Sequence, residues 1–225
     1  MTGDSVTRNS SNASLAEPAL VESTFDSGKA RPSDFALFFQ KFLSKGLAIS
    51  SAVPSSRSLV EAVLGHVDFT RPSTIIELGA GTGPITSEIL DLLRPHHRFV
   101  AVEKDPDFCE VLRRRFPGTP LIQGDASQLS EPLARMGIHE VDYVLSGLPT
   151  PNLPTRSQVQ LWRWLGRALR PSGVFVQITN APLVYRRFYE RLFRSVEYQM
   201  VWMNVPPGGV YRCAGPRRHL SRIGH

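Results

Sequence analysis

The chain has 225 residues, enough for one well-buried α/β domain with some chain to spare. Hydrophobic residues make up 41% and charged residues 20%, which is ordinary for a globular protein. No apolar run approaches the ~18 residues of a membrane span, and the polar N-terminus lacks the cationic start and apolar stretch of a secretory signal. Two cysteines, Cys109 and Cys213, are too few for a disulfide framework and fit a reducing cytosol. No histidine–cysteine spacing suggests a metal site. The net charge is +6 but unevenly placed: residues 1–34 carry −2, leaving +8 on the rest. From Leu183 onward eight arginines face only Glu190 and Glu197. Such a surface suits nucleic acid, an anionic membrane, or simply water.

Residues 1–31 are rich in Ser, Asn, Thr and Ala without periodicity, and read as a disordered tail. Residues 32–57 follow as a helix and approach segment. Phe35, Phe38, Phe39 and Phe42 recur at three- and four-residue steps with Gly46 and Ile49, while Lys41 and Lys45 fall on another face. An interfacial helix and a helix packed on a core share this pattern. The stretch breaks at Val53-Pro54-Ser55-Ser56, and a second helix is expected over 58–67.

Residues 58–225 then alternate. Strands are expected at 74–78, 99–103, 120–123, 141–145 and 173–179, with helices at 84–93, 106–115, 156–169 and 183–194. Two further strands, 198–204 and 210–213, flank the turn Pro206-Pro207-Gly208-Gly209. The expected fold is α/β: a Rossmann-like, seven-stranded, mostly parallel sheet with helices on both faces, preceded by the N-terminal amphipathic helix.

The first strand runs into Glu77-Leu78-Gly79-Ala80-Gly81-Thr82-Gly83. A glycine-rich turn after strand one is where a doubly wound sheet binds its ligand. The spacing departs from the dinucleotide pattern Gly-x-Gly-x-x-Gly, because position 84 is proline. Glu103 ends strand two, where a carboxylate can accept both hydroxyls of a ribose. Asp125, in Gly124-Asp125-Ala126, follows strand three, where a carboxylate can accept an adenine amino group. With Lys104, these elements share the C-terminal edge of neighbouring strands and so converge on one crevice.

This combination resembles class I S-adenosylmethionine-dependent methyltransferases over roughly residues 58–195. The resemblance implies S-adenosylmethionine as cofactor, held by Glu77, Gly79, Ala80, Gly81, Thr82, Gly83, Glu103, Lys104, Asp125, Ala126 and Ser146. The acceptor site of this fold lies after strand four, here Ser146-Gly147-Leu148-Pro149-Thr150. Enzymes acting on planar adenine amines place Asn or Asp first in this segment and an aromatic last; here Ser146 and Thr150 stand there. The segment also resembles that of the bacterial phospholipid N-methyltransferases. So do Phe175–Thr179, Asn204–Arg212, Arg114–Gly118 and Ala52–Ser56, so that the likeness spans about residues 35–213. It implies an aminolipid acceptor, phosphatidylethanolamine or ornithine lipid, bound by Gly147, Leu148, Pro149, Thr150, Tyr211 and Arg212. It also implies a cytoplasmic enzyme on the inner face of the cell membrane, docked through Phe35, Phe38, Phe39, Lys41, Phe42 and Lys45 on an anionic surface. Two rivals remain, an RNA adenine methyltransferase and a non-enzymatic binding module; neither a metal nor a nucleic-acid partner is expected. Oligomeric state, the number of methyl groups added and the catalytic base stay open.

Overall fold

The computed structural model describes residues 54–179, 185–202 and 208–222. The tail and the Phe-rich segment, with Phe35, Phe38, Phe39, Lys41, Phe42 and Lys45, lie outside the described residues, as does most of the turn before β7. The elements are α1 (Pro54–Leu64), β1 (Thr74–Leu78), α2 (Pro84–Leu92), β2 (Arg98–Glu103), α3 (Pro106–Arg115), β3 (Leu121–Gln123), α4 (Ser130–Arg135), β4 (Val141–Ser146), α5 (Thr155–Ala168), β5 (Leu169–Thr179), α6 (Arg186–Leu192), β6 (Phe193–Val201) and β7 (Gly208–Pro216). Strand β1 matches its expected bounds, and α2, α3 and β2 differ by at most one residue. Helix α1 starts at Pro54 rather than Ser58, because proline suits the first turn of a helix. Strand β6 starts at Phe193, directly after α6, where a longer helix was expected.

The seven strands form one sheet in the order β3-β2-β1-β4-β5-β7-β6. Strands β1 to β5 pair in parallel, and β7 runs antiparallel between β5 and β6. Alternate side chains of each strand feed two cores. Ile76, Leu78, Val100, Val102, Val144 and Phe175 pack on one face with α4, α5 and α6. Ile75, Phe99, Ala101, Leu145, Val174 and Val176 pack on the other with α1, α2 and α3. Burial on both faces explains why β1 reads as Thr-Ile-Ile-Glu-Leu, an almost continuous apolar run rather than an alternating one. Helix α5 buries Leu161, Trp162, Trp164, Leu165 and Ala168, a stripe at helical spacing. Strand order reverses between β1 and β4, so the loops after these strands diverge and leave a crevice at their C-terminal ends.

Candidate active site

A cavity of about 530 Å³ fills that crevice. Its walls come from the loop after β1 (Gly79, Gly81, Thr82), the loop after β2 (Glu103 to Pro106), the turn after β3 (Gly124 to Ala126) and the loop after β4 (Gly147 to Pro149). Four separate strand ends thus meet, as the sequence reading requires. The start of α5 closes the remaining side with Leu153, Pro154 and Ser157, and α3 adds Phe108.

The three glycines of the first loop all have positive φ, but they do different work. At Gly81 a Cβ would meet nothing within 4 Å, so the backbone there borders open space available to a ligand. At Gly79 a Cβ would lie 2.6 Å from Leu148 Cδ2, so this glycine lets the β1 and β4 loops touch. At Gly83 a Cβ would lie 2.3 Å from the Phe116 ring and 2.8 Å from Leu112 Cδ2. Gly83 caps α2 and admits the packing of α3; it does not line the cavity. The sequence reading expects Gly83 among the cofactor contacts; the structure gives it a packing role.

Glu103 is the hub of the cavity floor. Its Oε2 accepts from Gly81 N at 2.8 Å, and its Oε1 accepts from Lys104 N at 2.8 Å and Asp105 N at 2.9 Å. Three backbone N–H groups fix this buried carboxylate and tie the glycine loop to the end of β2. Asp125 Oδ1 accepts from Ser127 N at 2.9 Å, and Oδ2 pairs with Lys104 Nζ at 3.0 Å. Burial works to raise the Asp125 carboxyl, but the bonds from Ser127 and Lys104, with the Lys104 charge, outweigh it and hold it below the ordinary range. It therefore presents an anionic acceptor at neutral pH. Glu77 lies behind the loop, not in the cavity wall. It is buried, and Thr86 Oγ1 donates to its Oε2 at 2.6 Å. Burial pushes its carboxyl up to about 7, opposed by the Thr86 bond and reinforced by the charge of Glu103.

The β4 loop is held by a buried polar network that sequence reasoning missed. Gln177 Nε2, on β5, donates to Leu148 O at 2.7 Å, Ile178 O at 2.7 Å and Ser146 O at 3.2 Å. Gln177 Oε1 accepts from Thr150 Oγ1 at 2.7 Å, and Thr150 Oγ1 also meets the Tyr189 hydroxyl of α6 at 2.9 Å. Gln177 is a lone amide in the apolar run 174–178, and a buried amide needs partners; that was the available signal. Thr150 and Ser146 are fully buried, so they shape the loop from behind rather than face the cavity. Ala80 is likewise buried and outside the wall. Gly147, Leu148 and Pro149 do line it.

Tyr211 and Arg212 are not brought to the cavity. β5 and β6 pair with the two edges of β7, and α6 covers the face that carries Tyr211. Tyr211 is buried, with its ring centroid 5.1 Å from Tyr189 and 4.9 Å from Tyr198. Arg212 points to the other face and pairs with Glu197 at 3.3 Å.

Among known proteins, the chain is 42% identical over 185 residues to the ornithine lipid N-methyltransferase of Singulisphaera acidiphila, covering 81% of this chain and 96% of that one. The chain belongs to the ornithine lipid N-methyltransferase family. It is an S-adenosylmethionine-dependent methyltransferase. Similarity to a ribosomal RNA small subunit methyltransferase A from Synechococcus is more local, 36% over 95 residues, or 38% of this chain and 33% of that one. The model of the TrkA-N domain matches residues 80–155, less than half of the chain. Among solved structures, the 1,6-didemethyltoxoflavin-N1-methyltransferase of Burkholderia thailandensis aligns with a TM-score of 0.58 at 17% identity, covering 90% of this chain and 100% of that one. The N-methyltransferase NodS of Bradyrhizobium japonicum aligns at 0.56 and 15%, covering 81% and 98%. Both were solved with S-adenosylhomocysteine, and at these identities they show the fold.

The cavity fits the cofactor of the family. Its volume lies in the roughly 300–1,000 Å³ range of small-molecule sites. The open backbone at Gly81, the fixed carboxylate of Glu103 and the anionic Asp125 supply close approach and two acceptors along one groove.

Proposed function

We propose that this protein transfers methyl groups from S-adenosylmethionine to the head-group nitrogen of an aminolipid, ornithine lipid in the first instance. The observation that carries this reading is the 42% identity across almost the whole length of an ornithine lipid N-methyltransferase. The local geometry agrees with it. Beside the glycine loop, the cavity is walled by Leu148, Pro149, Leu153 and Pro154, an apolar lining that disfavours the charged form of an amine acceptor. Thr150, where adenine enzymes carry a stacking aromatic, turns its hydroxyl into the core toward Gln177. The RNA rival thus lacks both its amide and its platform here.

When bound, S-adenosylmethionine supplies an electrophilic methyl group for in-line displacement by a neutral amine. The chain's own contribution is positioning and exclusion of water. Glu103 and Asp125 orient the donor, while the Gln177–Thr150 network sets where Gly147, Leu148 and Pro149 hold the acceptor. No helix of the described residues is long and apolar enough to cross a membrane. A lipid acceptor calls for docking at the cytoplasmic face of the membrane, the part we assign to the Phe-rich segment 35–49. Incubation with ornithine lipid or phosphatidylethanolamine, followed by mass spectrometry of the product, tests the reading. Methylation on the amine nitrogen of ornithine lipid is expected; products confined to phosphatidylethanolamine would move the assignment to that lipid, and unaltered lipids of both kinds would refute it.

A further inference from the structure

We propose that Trp202, together with Arg187, forms a docking point for an anionic lipid bilayer on the edge of the sheet that carries the cavity. The inference rests on the aminolipid reading, and adds to it a surface that lies outside the Phe-rich segment.

The observation is the placement of exposed apolar surface. Among the described residues the exposed large hydrophobics are Leu92 at 38%, Met136 at 36% and Trp202 at 75%. Leu92 ends α2 and Met136 follows α4, so both lie where the chain turns back into β2 and β4, at the end of the sheet away from the cavity. Trp202 follows the last residue of β6, Val201, which pairs with Gly208; next along β7, Gly209 pairs with Thr179 at the end of β5. Trp202 therefore stands just beyond the C-terminal edge, the edge into which the cavity opens. The other two tryptophans, Trp162 and Trp164, are buried in the core. An indole held in water loses contact energy that burial would supply, and tryptophan is enriched at membrane interfaces because it is apolar with a polar tip. Charge on the same edge is complementary. Helix α6 begins there, and its first turn carries Arg186 and Arg187 with no acidic residue. Cations at the start of a helix oppose its dipole, so helix stability does not account for them. Arg186 is paired with Glu190, whereas Arg187 is exposed and has no ion-pair partner among the described residues. A bilayer with anionic lipid matches one aromatic anchor and an unpaired cation, and lying on this edge it would present its head groups to the cavity mouth.

The three tryptophans make the test direct. Full-length protein is mixed with phosphatidylglycerol–phosphatidylcholine vesicles that contain no aminolipid, so that docking is read apart from acceptor recognition. The emission of Trp202 should shift to the blue and be quenched by lipids brominated in the upper acyl chain, while Trp162 and Trp164 stay unaffected. In flotation, Trp202→Ala should lower the vesicle-bound fraction severalfold and Trp202→Phe should retain most of it. Arg187→Glu should weaken binding to the anionic vesicles but not to pure phosphatidylcholine. Emission that is neither shifted nor quenched, or Trp202→Ala floating like the wild type, overturns the docking point. The aminolipid reading is scored separately, by methyl transfer from wild-type enzyme to ornithine lipid dispersed in detergent. Transfer there without Trp202 docking removes only this inference; docking without transfer removes only the acceptor assignment.

Discussion

The buried carboxyl of Glu77 makes the free protein's stability depend on pH in a defined direction. Its value in the fold, about 7, lies above the ordinary 4.5 because burial disfavours the charged form more than the Thr86 hydrogen bond supports it. Below pH 4.5 both folded and unfolded chains hold the proton, and stability is full. Between 4.5 and 7 the unfolded chain releases it while the fold retains it, so stability falls as pH rises. Above 7 both are ionised and the loss is complete. At about 1.4 kcal/mol per tenfold change, the interval from 4.5 to about 7 corresponds to roughly 3 kcal/mol. Glu77→Gln removes the titration and keeps an oxygen that can accept from Thr86 Oγ1. Urea unfolding of the cofactor-free protein at a series of pH values between 5 and 8 reads the effect. The variant should gain on the wild type by about 2–3 kcal/mol across that window, most of it before pH 7. Parallel profiles for the two proteins would refute the reasoning and place Glu77 in contact with water.

Two glycine substitutions should separate by readout. Gly83→Val drives a side chain into Phe116 and Leu112 and should cost about 2–4 kcal/mol of stability, from overpacking and a left-handed backbone; a change below 1 kcal/mol would remove the packing role. At Gly81 an added Cβ points into open space, so for Gly81→Val calorimetry should show cofactor affinity reduced more than tenfold, beside a backbone cost of about 1–2 kcal/mol; unchanged affinity would remove Gly81 from the site. Gln177→Leu leaves the Thr150 hydroxyl with Tyr189 alone and withdraws donors from Ser146 and Leu148, and should lower stability by about 1–3 kcal/mol. Its kinetic mark is a raised KM for the lipid acceptor with cofactor affinity held; an equal change in both would mean general disorder of the site. Glu103→Ala frees three backbone N–H groups and should abolish measurable cofactor binding while the protein still folds.

The cofactor half of the site was legible because a parallel α/β sheet brings its strand ends to one edge. Once β1, β2 and β3 were read from their apolar runs, Gly81, Glu103 and Asp125 had to converge. What each residue does there was less legible. Gly83 has the same sequence context as Gly81, and only the approach of Phe116 from α3, 33 residues later, separates them. Tyr211 is hard to place from sequence for a topological reason: β7 is last in the chain but lies between β5 and β6, away from the cavity, and its Tyr211 face packs on Tyr189 of α6. Gln177 was overlooked because its partners Ser146, Leu148 and Thr150 sit about 30 residues away. Helix α4 is too short to show periodicity. Trp202 followed an alternating strand pattern, and nothing local distinguishes an exposed indole from a buried one.

The choice of acceptor is decided by offering labelled S-adenosylmethionine to the full chain with ornithine lipid vesicles and bacterial ribosomal RNA in the same reaction, then separating the two and counting label in each. Label is expected in the lipid, dependent on Glu103, and absent from RNA. Labelled RNA beside inert lipid would contradict it.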